Sequence, residues 1–272
     1  MAQPPLEVTR EGAIARLRFC RGEAANALGL PFWEAFPQAI AGLDQAGDVR
    51  ALVIHGEGKH FCAGMDLAVF AAGTLRPEEG PAAREAFVHD IRRLQAALDC
   101  LARARFPVIA AIQGACLGAG LDLAAACDLR FAADDAYFRI EEINIGMMAD
   151  LGSLQRLPRQ MPDAILRHMA FCGATLGAAQ AAAMGFVNGV SADPLEAAMD
   201  TARDIARRAP LAVTACKRAI AYAQEHGVAD SLEHAAILQA SAWCSADIKG
   251  AMAARAAKQD AEFSGLQDLR RE

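Results

Sequence analysis

Twice in this chain a short apolar run stops at a glycine, and a turn of small residues then opens a helix. Ala51-Leu-Val-Ile54 ends in His55-Gly56, and Phe61-Cys-Ala-Gly-Met-Asp-Leu67 follows. Pro107-Val-Ile-Ala-Ala-Ile112 ends at Gly114, and Gly118-Ala-Gly120 follows. Short apolar runs bounded by turn residues read as buried strands. Ile14-Ala-Arg-Leu-Arg-Phe19 alternates as a half-buried strand does, Phe32 to Leu43 has helical spacing, and Ala83 to Ala104 reads as a long amphipathic helix. Asp128-Leu-Arg-Phe131 and Ala136 to Ile140 return to strand character. Strand alternating with helix implies an α/β layer arrangement. Residues 73–82, rich in Gly, Pro and Glu, read as a mobile loop, and after Pro162 the pattern is helical throughout.

Three carboxylates stand in or beside these apolar, Gly-rich segments. Asp122 follows the second turn, and Glu142 and Asp150 lie in Phe138-Arg-Ile-Glu-Glu-Ile-Asn-Ile-Gly-Met-Met-Ala-Asp150. An acid among Leu, Ile, Met and Ala is costly unless it is paired, protonated or hydrogen-bonded. The same conditions tune a carboxyl group for proton transfer near neutral pH. Taken singly, each acid could equally cap a helix or make an ion pair. The turns have a chemical reading too. The first amides of a helix lack internal acceptors, and two of them converging on one oxygen form an oxyanion hole. On spacing alone they are also ordinary strand-to-helix turns.

Other chemistries find less support. Gly118-Ala-Gly120 is a poor dinucleotide fingerprint, because Leu123 holds the third glycine position. No serine sits in a G-x-S-x-G elbow. The eight cysteines occur singly, with no CxxC and no Cys/His cluster at zinc spacing, so no metal site is expected and the thiols read as reduced residues of a cytoplasmic protein. A net charge of −6 argues against a general nucleic-acid or membrane surface, although a few local cations could still hold an anionic small molecule. No run reaches the length of a membrane span, Met1-Ala-Gln-Pro-Pro5 is unlike a signal peptide, and Leu269-Arg-Arg-Glu272 is no peroxisomal tripeptide.

The two turn segments resemble those of the crotonase (enoyl-CoA hydratase/isomerase) superfamily. Gly58 to Leu67 is similar to its first oxyanion segment, Gln113 to Leu129 to its second, and Asn26-Ala-Leu28 to its early motif. The resemblance implies a spiral ββα core, assigned to residues 1–200, and a C-terminal helical region, 201–272, that builds a trimer or a hexamer formed as a dimer of trimers. It implies acyl-CoA thioester substrates, with coenzyme A as part of the substrate and no separate cofactor. By position the oxyanion donors are the backbone N–H groups of Met65 and Ala119, the latter where many members carry glycine. Ala63, Asp66 and Leu67 fall at coenzyme A contacts, as do Lys59 before the first turn and Lys217 on a late helix.

Within the superfamily the acids decide the reaction. Hydratases carry two acids, at the positions of Asp122 and Glu142, and commonly glycine where this chain has Asp150. Dienoyl-CoA isomerases carry Asp, Glu and Asp at all three, and Glu142 to Pro158 and Ala212 to Ile220 are similar to theirs. The resemblance implies proton removal at C2 by Glu142 and return at C6 by Asp150, with Asp122 hydrogen-bonded to Glu142. The loop at 70–85 is expected to form part of the acyl pocket wall.

Overall fold

A computed structural model describes residues 4–73, 75 and 79–270. Its main sheet runs in the order β1 (Leu6–Glu11), β2 (Ile14–Phe19), β3 (Ala51–Gly56), β4 (Val108–Ile112), β6 (Leu129–Ala132), β9 (Gly189–Val190). β1 pairs antiparallel with β2, and every later neighbour is parallel. A smaller sheet orders β5 (Ala115–Leu117), β7 (Tyr137–Arg139) and β8 (Leu176–Gly177).

β4, and β3 as far as Ile54, are apolar throughout because both their faces are covered. Side chains alternate across a strand, so Leu52 and Ile54 of β3 and Val108, Ala110 and Ile112 of β4 enter the large core. That core is roofed by α1 (Leu30–Ala46) and α3 (Pro81–Arg103). Ala51, Val53, Ile109 and Ala111 face the other way and pack on Ala198, Met199 and Ala202 of α8 (Pro194–Ala206). The small side chains of α8 let it lie close to the sheet. The change to a purely helical extension therefore falls after Ala206, with α9 (Pro210–Ala223), α10 (Val228–Ala242) and α11 (Ser245–Ala257).

The expected helices and inner strands are present with shifted ends. The long helix starts at Pro81, where proline suits the first helical position. Three features depart from the sequence reading. β1 is an edge strand with mostly exposed residues and little apolar alternation. β5 has only three residues, and its partner β7 fixes it. The region after Pro162 holds β8 and β9, each two residues long, alongside α6 (Asp163–Cys172) and α7 (Ala178–Ala183). Strands this short are set by their neighbours and not by local propensity. The loop expected at 73–82 lies partly outside the described residues.

Lys217 is a correction to the expected coenzyme A contacts. Its ammonium is buried and donates to the carbonyls of Leu101 (2.7 Å) and Phe106 (2.9 Å) and to Asp128 Oδ2 (2.8 Å). An ammonium has three hydrogens, and here each has an acceptor within the fold. Asp128 Oδ2 also takes the Val108 N–H at 2.7 Å, so one ion pair joins α9 to the end of α3 and to β4. A phosphate would have to break this cluster to reach Lys217. Lys217→Ala is expected to lower stability by about 1–3 kcal/mol, since it leaves the carbonyls of Leu101 and Phe106 without their ammonium donor. Denaturant unfolding of the variant beside the parent measures this, and an unchanged midpoint would refute the structural role.

Candidate active site

The two small-residue turns meet because the first lies along the second as a short parallel strand. Cys62 donates to the Ala115 carbonyl (3.0 Å) and accepts from the Leu117 N–H (3.0 Å), and Phe61 N donates to the Gln113 carbonyl (2.7 Å). Phe61 is anchored by burial against Phe19, with ring centroids 5.5 Å apart. Filling such a site with Phe stabilises by about 1.5–3 kcal/mol. Gly120, in the first turn of α4 (Ala119–Ala126), lies so close to this strand that a Cβ there would come within 2.8 Å of the Cys62 carbonyl oxygen.

On its other side the first turn pairs with Leu28. Leu28 N donates to the Gly64 carbonyl (2.8 Å) and the Leu28 carbonyl accepts from Asp66 N (3.1 Å). In a parallel bridge one residue makes both bonds, so the amide of Met65 between them is turned away from Leu28. Ala119 opens α4, where an amide has no helical acceptor. Among the described residues neither N–H has a protein acceptor, and both residues line one cavity. A Cβ on Gly64 would sit 3.4 Å from Ala119 N, which measures how near the two turns are.

Asn26 holds this arrangement from beneath. It is buried, and its side-chain amide donates to the carbonyls of Glu57 (2.9 Å) and His60 (2.7 Å) and accepts from Arg21 N (3.1 Å). Asp66 caps α2 (Leu67–Ala71) through the Ala68 N–H (3.0 Å) and pairs with Arg21 (2.9 Å). The capping bond first, and Arg21 second, hold its carboxyl below the usual range.

The cavity encloses about 520 Å3. Its walls are largely apolar, with Met65, Phe70, Phe87, Ile91, Met148 and Leu151 among them, and its polar groups are few. Ala63, Asp66 and Leu67 lie in the wall, whereas Lys59 is exposed and outside it. Of the expected loop wall, Phe70 and Leu75 contribute, together with Phe87 and Ile91 of α3.

Glu142 and Asp150 both face this cavity, and Asp122 stands behind it, fully buried. Glu142 reaches the second turn, where a Cβ on Gly118 would lie 3.1 Å from Glu142 Oε1. Burial pushes the Glu142 carboxyl up to about 7, and the charge of Asp122 adds to the rise. Burial pushes Asp122 up to about 6. Asp150 is raised by burial as well. Its backbone carbonyl is fixed by Gln95 Nε2 of α3 at 2.7 Å.

The expected hydrogen bond between Asp122 and Glu142 is absent among the described residues. Asp122 Oδ1 instead accepts two bonds from Ser153, from its N–H (2.5 Å) and its hydroxyl (2.6 Å). Asp122 Oδ2 and Glu142 Oε2 are both buried without a partner. The two acids therefore couple through charge. Ser153 was invisible to sequence reasoning, since a serine after Gly152 reads as turn chemistry. Gly152 itself (φ +135°) leaves room that Arg156 fills on its way to Asp99 of α3, and a Cβ there would overlap the guanidinium.

Such a site can polarise a carbonyl with two amides and exchange protons with its substrate at two acids. A profile of the enoyl-CoA hydratase/isomerase family matches residues 9–266. The Arabidopsis thaliana protein named peroxisomal Delta(3,5)-Delta(2,4)-dienoyl-CoA isomerase is 34% identical over 96% of this chain and 97% of its own. The mitochondrial protein of that name from Homo sapiens is 35% identical over 82% of this chain and 70% of its own. Among solved structures, an enoyl-CoA hydratase from a Polaromonas species superposes with a TM-score of 0.86 at 29% identity, covering 95% of this chain and 99% of its own. The fold, the paired turns and these likenesses agree: the chain belongs to the enoyl-CoA hydratase/isomerase family of the crotonase superfamily.

Proposed function

We propose that this enzyme converts 3,5-dienoyl-CoA to 2,4-dienoyl-CoA. The observation that carries the reading is Asp150, a second acid in the wall of an apolar cavity that already holds Glu142. The isomerisation removes a proton from C2 and returns one at C6, so two separated acids suit it better than one. In this reading the thioester carbonyl oxygen accepts from Met65 N–H and Ala119 N–H. Glu142 takes the C2 proton, charge spreads over the dienolate, and Asp150 supplies the proton at C6. The oxygen carries most charge in the intermediate, which is where fixed amides stabilise best.

Hydration of a 2-enoyl-CoA is the second reading. It is favoured by relatives such as the Mycobacterium tuberculosis protein named probable enoyl-CoA hydratase, 32% identical over 97% of this chain and 99% of its own. That reaction would use Asp122 and Glu142 to activate water. Against it, Asp122 lies outside the cavity wall and spends one oxygen on Ser153.

Coenzyme A is proposed to enter past Ala63, Asp66 and Leu67, with Lys59 the exposed cation nearest the first turn. A trimer or a dimer of trimers is supported by apolar side chains left exposed on the C-terminal helices, among them Ile220, Leu232, Ile237, Trp243 and Met252. None of the described helices is long and apolar enough to cross a membrane. The cytoplasmic assignment rests on the unpaired cysteines, while the relatives' names place those proteins in peroxisomes and mitochondria.

The first test follows the ultraviolet absorbance of a 2,4-dienoyl product formed from 3,5-dienoyl-CoA, with 2-enoyl-CoA hydration assayed in parallel. Asp150→Asn is expected to lower isomerase turnover by roughly 100-fold or more, the usual size of a general acid–base contribution. Near-parental turnover in that variant, or fast hydration without isomerisation, would overturn the reading. The pH profile is a further check. A base must be ionised to take the C2 proton, and the Glu142 carboxyl is pushed up to about 7. So kcat/KM is expected to fall as pH drops through that value, and, because Asp150 must hold the proton it delivers, to fall again on an alkaline limb. An acid limb near 4 would remove Glu142 from the role.

A further inference from the structure

Asp122 is held in an asymmetric way. Both donors of Ser153, N–H at 2.5 Å and Oγ–H at 2.6 Å, converge on Oδ1, and Oδ2 is buried with no partner. Ser153 is itself buried, and it follows Gly152, whose backbone (φ +135°) is one that glycine adopts freely. Across from this pair Glu142 Oε2 is also buried without a partner. Two carboxyl groups that feel each other's charge, one fully buried and one largely so, cannot both ionise cheaply, so the pair holds one proton at rest. Which acid carries it depends on which is better solvated by the protein: Glu142 has the backbone amides at 141 and 142 beside it, whereas Asp122 has a backbone amide and, alone of the two, a hydroxyl donor.

We infer that Ser153 is a positioning residue of the reaction: its two hydrogen bonds to Oδ1 make Asp122 the charged member of the pair and leave the resting proton on Glu142. This rests on the reading that Glu142 exchanges protons with the substrate. Asp122 then serves as a fixed negative charge behind Glu142. That charge makes the Glu142 carboxyl weakly acidic, so the dissociation it must undergo is set by a serine that never touches the substrate.

The charged and titratable groups around Asp122 are few. They are Glu142, Asp150, the thiol of Cys116 on β5, and Arg156 of α5 (Ser153–Arg156), which is itself neutralised by Asp99 of α3. Arg156 is a permanent cation paired elsewhere, and the buried Cys116 thiol is pushed well above its ordinary range. Arg156 favours a charged Asp122 in the same sense as Ser153, but it is shared with Asp99 and stays in place in any Ser153 variant, so it does not account for a difference between them.

The test compares Ser153→Ala with Ser153→Thr. Ser153→Ala keeps the N–H bond and removes the hydroxyl, so the proton moves to Asp122 and Glu142 loses the charge that opposed its ionisation. The acid limb of kcat/KM is expected to move down by roughly one pH unit, the scale of coupling between adjacent acids. Ser153→Thr retains the hydroxyl and is expected to keep the limb where it is. The profile is read with whichever thioester the protein turns over, dienoyl or enoyl, so failure of the isomerase reading does not decide this one. Carboxyl carbon NMR titration of the substrate-free protein, with Asp122→Asn and Glu142→Gln for assignment, gives a readout independent of activity. It is expected to show Asp122 protonating before Glu142 in Ser153→Ala and after it in the parent. An unmoved or raised limb in Ser153→Ala, an equal shift in both variants, or an unaltered order of protonation would overturn the inference.

Discussion

The short parallel pairing of Cys62 with Ala115 and Leu117 is the contact on which the site depends. It joins the loop after β3 to the loop after β4, so two turns from different parts of the chain share one backbone frame. The pairing needs small residues around it, and Gly120 supplies the space at its closest point. Once the frame is set, Met65 and Ala119 both line the cavity, and among the described residues neither amide has a protein acceptor. Their peptides are held on their other faces, by Leu28 on one side and by α4 on the other, so an oxygen bound between them in the proposed reaction would meet fixed donors.

The acids obey a different logic. None of them is held by a cation inside the cavity, and burial dominates the behaviour of all three. Their differences come from depth and from donors. Asp122 is deepest and has Ser153, Glu142 is next and sees the Asp122 charge, and Asp150 is half-buried with its backbone pinned by Gln95. In and behind a largely apolar cavity there is therefore a graded series of acids, each tuned by its surroundings, which is the kind of arrangement the proposed proton transfer would use.

Much of the architecture was legible in the sequence because it follows from strong local signals. β3 and β4 were apolar runs closed by glycine, α4 opened at the Gly118–Gly120 turn, and α3 began close to the expected start, at Pro81 and not Ala83. The three acids stood out because carboxylates are rare among Leu, Ile and Met. What stayed hidden was set by long-range contact. β5, β8 and β9 are two or three residues long, and only their partners make them strands. Lys217 was expected at a coenzyme A contact because nothing nearby in sequence shows that Leu101, Phe106 and Asp128 surround it. Ser153 lies 31 positions from the acid it binds, and the expected Asp122–Glu142 bond failed for the same reason.

Helix α3 has two attachments to the acid loop that lie one turn apart on the same helical face. Gln95 holds the Asp150 carbonyl, and Asp99 holds Arg156, which packs over Gly152. One or two turns earlier the same helix presents Phe87 and Ile91 to the cavity. The rod that lines the cavity is thus also the bracket that carries the loop between Asp150 and Arg156. With an acyl chain bound as proposed, a displacement of α3 by a poorly fitting chain would reach the loop that carries Asp150, so that fit at the far end of the substrate and alignment at its reacting carbons would be mechanically one event.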